Sequence, residues 1–76
     1  GVPSGSMDEA IMNYVQAIKL APGYILYYLD LAKALAAKNN KDQAIRTLQK
    51  AQTLPIKTED DPAYLTQCKT LLDQLK

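Results

Sequence analysis

Apolar residues recur along most of the chain at the spacing of amphipathic helices. The clearest stripe lies near the C-terminus, at Tyr64, Leu65, Cys68, Leu71, Leu72 and Leu75. A narrower stripe precedes it, at Ala44, Ile45, Leu48 and Ala51. Between Tyr24 and Lys38 the pattern is apolar nearly all round, which predicts a helix packed between several neighbours. No alternating strand pattern competes, so an all-α fold is predicted.

Helix breakers and capping residues divide this pattern into about four antiparallel helices. The first is predicted over residues 7–21, before Pro22, and the second over residues 24–38. The third follows Asn40 as its N-cap and ends near Leu54, because Pro55 cannot continue it. The last covers residues 62–76, with Asp61 predicted as an N-cap carboxylate ahead of a proline at the first helical position.

The first six residues differ in composition from the rest of the chain. Residues 1–6 hold two of the three glycines, a proline and two serines. Such a segment is typical of the remnant of a cleaved expression tag with its linker, and a native flexible linker is the alternative. The predicted domain therefore covers residues 7–76.

An internal repeat relates the first and third predicted helices. Five residues recur 34 positions later, with Asp8, Ala10, Ile11, Ala17 and Leu20 matched by Asp42, Ala44, Ile45, Ala51 and Leu54. At the same offset Tyr14 meets Leu48. A period of this length with two helices in each period is that of the tetratricopeptide (TPR) repeat.

The spacing of large and small residues resembles the TPR family directly. The first-helix pattern of aromatic, leucine, small and large residues appears as Tyr28, Leu31, Ala32 and Leu35. The second-helix pattern of small, large, small and proline appears as Ala44, Leu48, Ala51 and Pro55, and earlier as Ala10, Tyr14, Ala17 and Pro22. The resemblance implies an α-solenoid fragment: residues 7–21 end one repeat, 24–55 form a full repeat and 62–76 form a closing helix. Gln67 departs from the expected leucine, as is typical of a terminal cap.

A narrower resemblance concerns residues 27–33 and the loop that precedes the last helix. The segment Tyr-Tyr-Leu-Asp-Leu-Ala-Lys, followed by Leu54-Pro55 and the loop Thr58-Glu59-Asp60-Asp61, is similar to the C-terminal end of one TPR family. That family includes the regulator-of-microtubule-dynamics proteins and bacterial relatives.

The residues needed for common catalytic and metal sites are missing from the sequence. The chain contains no histidine, one cysteine and no Gly-rich phosphate loop, so we expect neither an enzyme nor a cofactor. The adjacent carboxylates of residues 59–61 lack the spacing of a calcium loop and are better explained by helix capping. Cys68 lies on an apolar stripe, where packing is favoured over a reactive thiol.

The charge balance argues against nucleic-acid and membrane partners. Nine Lys and Arg residues oppose eight Asp and Glu residues, and the apolar run 24–29 is too short to span a bilayer. Tyr24, Tyr27 and Tyr28 could stack on bases, but Arg46 is the only arginine, which favours packing. A single cysteine does not imply an oxidising compartment, and we expect the cytoplasm.

By the TPR resemblance, the chain is predicted to be a protein-interaction scaffold that binds a peptide or partner helix. The concave groove of such an array is lined by its first helices. The corresponding residues here are Leu26, Leu29, Lys33, Ala36, Leu65, Lys69 and Leu72. An apolar groove edged by lysines suits an amphipathic segment with acidic character. The alternative is that these leucines only pack, and that the fragment is a structural end of a longer solenoid.

Self-association is a further expectation from the sequence. Beside its core face, the first helix carries Met12, Val15 and Ile18, whereas the third helix has Arg46, Gln49 and Gln52 at the matching places. An apolar strip on a terminal helix lacks its usual cover. We therefore expect a homodimer through this strip, or an exchange of helices between chains.

Overall fold

The computed structural model describes the backbone of residues 3–76 and the side chains of residues 8–76. Four helices follow one another: α1 (Pro3–Leu20), α2 (Ile25–Ala37), α3 (Lys41–Ala51) and α4 (Asp61–Leu75). No strand occurs among the residues so described. The all-α prediction with four helices is confirmed.

Helix α2 lies at the centre of the stack and packs against α1, α3 and α4. Its own residues Ile25, Leu29 and Ala32 are at most 1% exposed, which explains why this stretch is apolar on nearly every side. Helix α3 packs on α2 and α4, whereas α1, within residues 3–76, packs on α2 alone. The centre of the core therefore lies among α2, α3 and α4.

Small residues allow these helices to approach closely. Ala32, Ala44 and Ala51 are fully buried, and Leu48 fills the space beside them with no exposed surface. Cys68 on α4 is likewise fully buried and forms no disulfide. Burial raises the pKa of its thiol, so Cys68 acts as a small apolar core residue.

Two helix ends differ from the predicted ones by more than one residue. Helix α1 begins at Pro3, within the segment 1–6 predicted to be a tag remnant, rather than at residue 7. Proline is tolerated in a first helical turn, where its missing N–H would have no helical partner. Helix α3 ends at Ala51 rather than near Leu54. The ring of Pro55 would clash with the carbonyl four residues earlier, so the last residues form a turn instead. The origin of the first six residues stays a prediction.

The break between α2 and α3 is made by asparagine. Asn39 has a φ of 64°, and the N–H of Asn40 donates to the Leu35 carbonyl at 2.8 Å. This left-handed cap closes α2 and frees the chain to turn into α3. Asn40 occupies the predicted N-cap position of α3, but its side-chain amide donates to Gln43 at 3.0 Å rather than accepting from the helix backbone.

The prediction that Asp61 caps the last helix is wrong. Asp60 is the N-cap of α4, and Asp61 is its first helical residue, followed by Pro62. The Asp61 carboxylate turns back to the preceding loop, where Oδ2 accepts hydrogen bonds from the backbone N–H groups of Lys57 (2.8 Å) and Thr58 (3.0 Å). Because Oδ2 accepts these two hydrogen bonds, the Asp61 carboxylate stabilises the loop rather than the first turn of α4.

Candidate interaction surfaces

The predicted groove residues lie on α2 and α4, but two of them belong to the core. Leu29 is 1% exposed and Leu72 is 5% exposed, so both pack mainly inside the core. Leu26, Ala36 and Leu65 are half-buried against the core, whereas Lys33 and Lys69 are exposed. Packing, the alternative left open by the sequence, accounts for the two buried leucines.

These residues also do not form one continuous groove. Leu29 and Lys33 border a depression of about 280 Å³ whose other wall is Gln67, Leu71 and neighbouring polar residues of α4. Leu65, Lys69 and Leu72 border a second depression, of about 540 Å³, on the opposite side of α4 together with Gln52. Because Cys68 and Leu72 turn into the core, α4 stands between the two halves of the predicted groove.

The strip predicted to self-associate lies on the outside of α1. Met12 is 64% exposed and Val15 is 38% exposed, while Ile18 is partly buried against the core. Helix α1 thus presents apolar side chains on a surface that no other described helix covers. The dimer itself stays a prediction.

A groove that the sequence did not predict lies between α1 and α3. We call it the outer groove. Its floor is Tyr28 and Leu31 of α2, and the residues of its two walls are Val15, Ile18 and Lys19 of α1 and Arg46, Thr47 and Lys50 of α3. Its volume is about 330 Å³. The sequence signal for its α3 wall is the position of Arg46 and Lys50 one turn apart on α3, but only the fold places them opposite Val15 and Ile18.

The tyrosines of α2 are used for packing. The hydroxyl of Tyr28 donates to the Pro22 carbonyl at 2.5 Å, which ties α2 to the turn before it. Tyr24 and Tyr27 pack edge to face, with ring centroids 4.6 Å apart. Burial, followed by the negative charge of Asp60, raises the pKa of the nearby Tyr64. These contacts favour the packing interpretation over a base-stacking platform.

Asp61 is the one fully buried charged residue among residues 8–76. The backbone hydrogen bond from Lys57 is the main cause that lowers the pKa of its carboxyl group, against the opposing effect of burial. Its second oxygen, Oδ1, accepts no hydrogen bond from the described chain. The ionised carboxylate of Asp61 therefore holds the loop between α3 and α4.

The described side chains contain no group of three His, Cys, Asp or Glu residues placed to hold a metal ion. Over residues 3–76, no helix combines the length and hydropathy needed to cross a bilayer.

The chain is similar to known proteins along its whole length. The family model for regulator of microtubule dynamics protein 1-3 matches residues 1–76. The chain is 34% identical over 73 residues to regulator of microtubule dynamics protein 1 of Caenorhabditis elegans, covering 96% of the chain and 32% of that protein. It is 30% identical over 76 residues to regulator of microtubule dynamics protein 2 of Macaca fascicularis and 29% identical to the Homo sapiens protein, covering 99% of the chain and 18% of each. The chain thus spans less than a third of the length of these relatives. No solved structure matches it.

Proposed function

The chain belongs to the regulator of microtubule dynamics protein 1-3 family, and from that premise we propose that it is a protein-interaction unit and not an enzyme. Its fold is a TPR-type helical repeat that holds a partner peptide or helix on its surface. The names of its relatives describe regulators, and a regulatory role suits a scaffold that acts through protein contacts.

The core supports the TPR assignment. Ala44, Leu48 and Ala51 are all fully buried, as the small-large-small pattern of a second TPR helix requires. Their counterparts Ala10, Tyr14 and Ala17, 34 residues earlier on α1, are partly buried, and Tyr14 packs against the core. A repeated helix that packs on the same central helix with the same residue pattern is what a solenoid builds.

One observation carries the proposal of binding: apolar surface remains uncovered outside a well-packed core. Met12 is 64% exposed and Val15 is 38% exposed, and with the partly buried Ile18 they follow one another at three-residue steps along α1, so they share one face of the helix. Contiguous exposed apolar surface rimmed by polar residues marks interaction sites. Lys33 and Lys69 add exposed positive charge beside the two depressions that flank α4.

Self-association is the second candidate, and the placement of α1 favours it. Met12, Val15 and Ile18 lie on a helix whose one neighbour, among the helices that the structure describes, is α2. A two-fold dimer through this strip would cover it. Sedimentation at increasing chain concentration tests this candidate against the variant Met12→Lys, Val15→Glu. A dimer that the variant abolishes supports it, and a monomer at every concentration excludes it.

Affinity capture followed by direct binding of an identified protein tests the principal proposal. The purified chain is compared with Lys33→Glu, Lys69→Glu and with Met12→Lys, Val15→Glu, each checked for unchanged helical circular dichroism. We expect the identified protein to bind the unmodified chain and to lose affinity for one of these variants. Binding that none of the surface changes weakens would contradict a specific interaction surface.

A further inference from the structure

The outer groove combines an apolar floor with polar rims. Tyr28 and Leu31 form the floor and are 6% and 8% exposed, so the groove reaches the edge of the core. The Tyr28 hydroxyl is already bonded to Pro22, and the ring therefore adds apolar surface to the groove. Val15 and Ile18 extend that surface up the α1 wall.

Every charged side chain that lines the outer groove is cationic. Lys19 comes from α1, and Arg46 and Lys50 come from α3. The whole chain carries a net charge of only +1, whereas the lining of this groove holds three cationic side chains and no carboxylate. The salt bridge found among the described side chains joins Lys38 to Asp8, which leaves the three rim cations without a carboxylate partner.

We propose that the outer groove binds an acidic amphipathic segment of a partner protein. Apolar side chains of that segment pack on Tyr28 and Leu31, and its carboxylates pair with Arg46, Lys50 and Lys19. Arginine binds carboxylates through two parallel hydrogen bonds, which gives the site both charge and geometric selectivity. This inference rests on the proposed interaction function and names its surface and partner chemistry.

The size of the groove limits what enters it. Each wall is about one helical turn long, because Val15 to Lys19 and Arg46 to Lys50 each advance by four residues at roughly 1.5 Å per residue. Such a groove admits the side chains from about two turns of a partner helix, at i and i+3 or i+4. The carboxylates belong on the flanking positions of that helix.

The charges favour this occupant over a second copy of the chain. A two-fold contact through the outer groove would bring Arg46 and Lys50 of each copy towards the same cations of the other. Like charges placed opposite each other oppose association. A nucleic-acid backbone would pair with the cations and leave the apolar floor uncovered. An acidic amphipathic protein segment complements both features.

Titration of the isotope-labelled 76-residue chain with a defined probe tests the inference. The probe is a helical peptide of about 16 residues with leucines at i, i+4 and i+7 and glutamates beside them, and the matched control peptide has lysines for the glutamates. We expect amide shift changes centred on Val15, Ile18 and Thr47. Arg46→Glu, Lys50→Glu should weaken binding by about tenfold or more, and Lys33→Glu, Lys69→Glu by less than about twofold.

Each other outcome overturns the inference. Absence of binding, or equal binding of the lysine peptide, would show that acidic character is not recognised. Shift changes at Leu29 and Leu71 that Lys33→Glu, Lys69→Glu removes would place the site beside α4, and the proposed interaction function would stand. Shift changes around the outer groove that grow with chain concentration alone, and that Met12→Lys, Val15→Glu removes, would assign the groove to a second copy.

Discussion

Helices α1 and α3 present the same core pattern to the same central helix, yet they are buried to different extents. Ala44, Leu48 and Ala51 of α3 are fully buried, whereas their counterparts on α1 are only partly buried. The cause is the number of neighbours, because α3 packs on both α2 and α4, whereas α1, in the described part of the chain, packs on α2 alone. The residue pattern determines which face of a helix turns inward, and the neighbouring helices determine how completely that face is covered.

The outer faces of the two helices differ in chemistry as well. Helix α1 carries Met12 and Val15, while α3 carries Arg46 and Lys50. In the folded chain Val15 and Ile18 lie on one wall of the outer groove, and Arg46 and Lys50 lie on the other. The sequence alone shows an apolar face on α1 that lacks a cover. In the fold, part of that face and the basic residues of α3 form one shared groove.

The largest expected effect comes from truncating equivalent large residues. Leu48→Ala should lower the free energy of unfolding by about 2–5 kcal/mol, because it opens a cavity in a fully buried site. Tyr14→Ala should cost less, since Tyr14 is already partly exposed to water. Urea unfolding of the two variants measures both losses. Equal losses would mean that α1 is covered as completely as α3.

Overpacking of equivalent small residues sharpens the same comparison. Ala44→Leu should cost about 1–3 kcal/mol, because Ala44 is fully buried and its neighbours must move. Ala10→Leu should cost less at its partly exposed site. Gln49→Ala, an exposed change on α3, is the control and should stay within about 0.5 kcal/mol. Matching denaturant midpoints for Ala44→Leu and Gln49→Ala would show that the core register is wrong.

These core positions could be predicted from the sequence because periodicity and helix breakers are local signals. The four helices, their order and the inward face of α3 all followed from the spacing of apolar residues and from Pro22, Asn40 and Pro55. The start of α1 at Pro3 could not be predicted, because the composition of residues 1–6 is typical of a linker. Helical turns that contain glycine and serine form only when the rest of a helix supports them.

Helix α3 is better covered than α1 because α4 packs on it. The pH dependence of the free energy of unfolding tests how the loop before α4 holds that helix in place. Asp61 holds the loop that leads into α4, and its folded pKa is lowered from 3.8 chiefly by the backbone hydrogen bond from Lys57. A lowered folded pKa means that the ionised carboxylate stabilises the fold above the unfolded value. That contribution is lost as pH falls below 3.8 towards the folded pKa.

Asp61→Asn should therefore destabilise the chain at neutral pH and flatten the fall in stability below pH 3.8. Thermal unfolding across a pH series measures this. Asp73→Asn removes an exposed carboxylate from the same helix and serves as the matched control. If the two variants lose stability in parallel over the acidic range, the loop contact of Asp61 makes no special contribution.

The smallest expected effect concerns the ion pair between α1 and α2. Lys38 pairs with Asp8, and both side chains are about half exposed, at 47% and 56%. Lys38→Ala should change the free energy of unfolding by less than about 1 kcal/mol, and by less still at high salt. Urea unfolding at two ionic strengths measures it. A larger loss that salt does not reduce would mean that this pair fixes α1 on α2.

The interaction surface was harder to predict than the core, because it depends on how helices distant in sequence are placed. The groove predicted by the TPR resemblance needed Leu29 and Leu72 at the surface, and both are core residues here. The outer groove needed α1 and α3 to stand on the same side of α2, which no local pattern encodes. Arg46 and Val15 acquire a joint role only through that placement.

The central claim is that α1 is only half covered and completes a binding groove with α3. Amide hydrogen exchange of the whole chain, measured alone and with the acidic helical probe, tests this claim most directly. Without the probe, amides of α1 should exchange faster than those of α3, because fewer packed neighbours oppose local opening. With the probe, protection should rise along α1 around Val15 and Ile18. Equal protection of α1 and α3 in the free chain, or a rise confined to α4, would contradict the account.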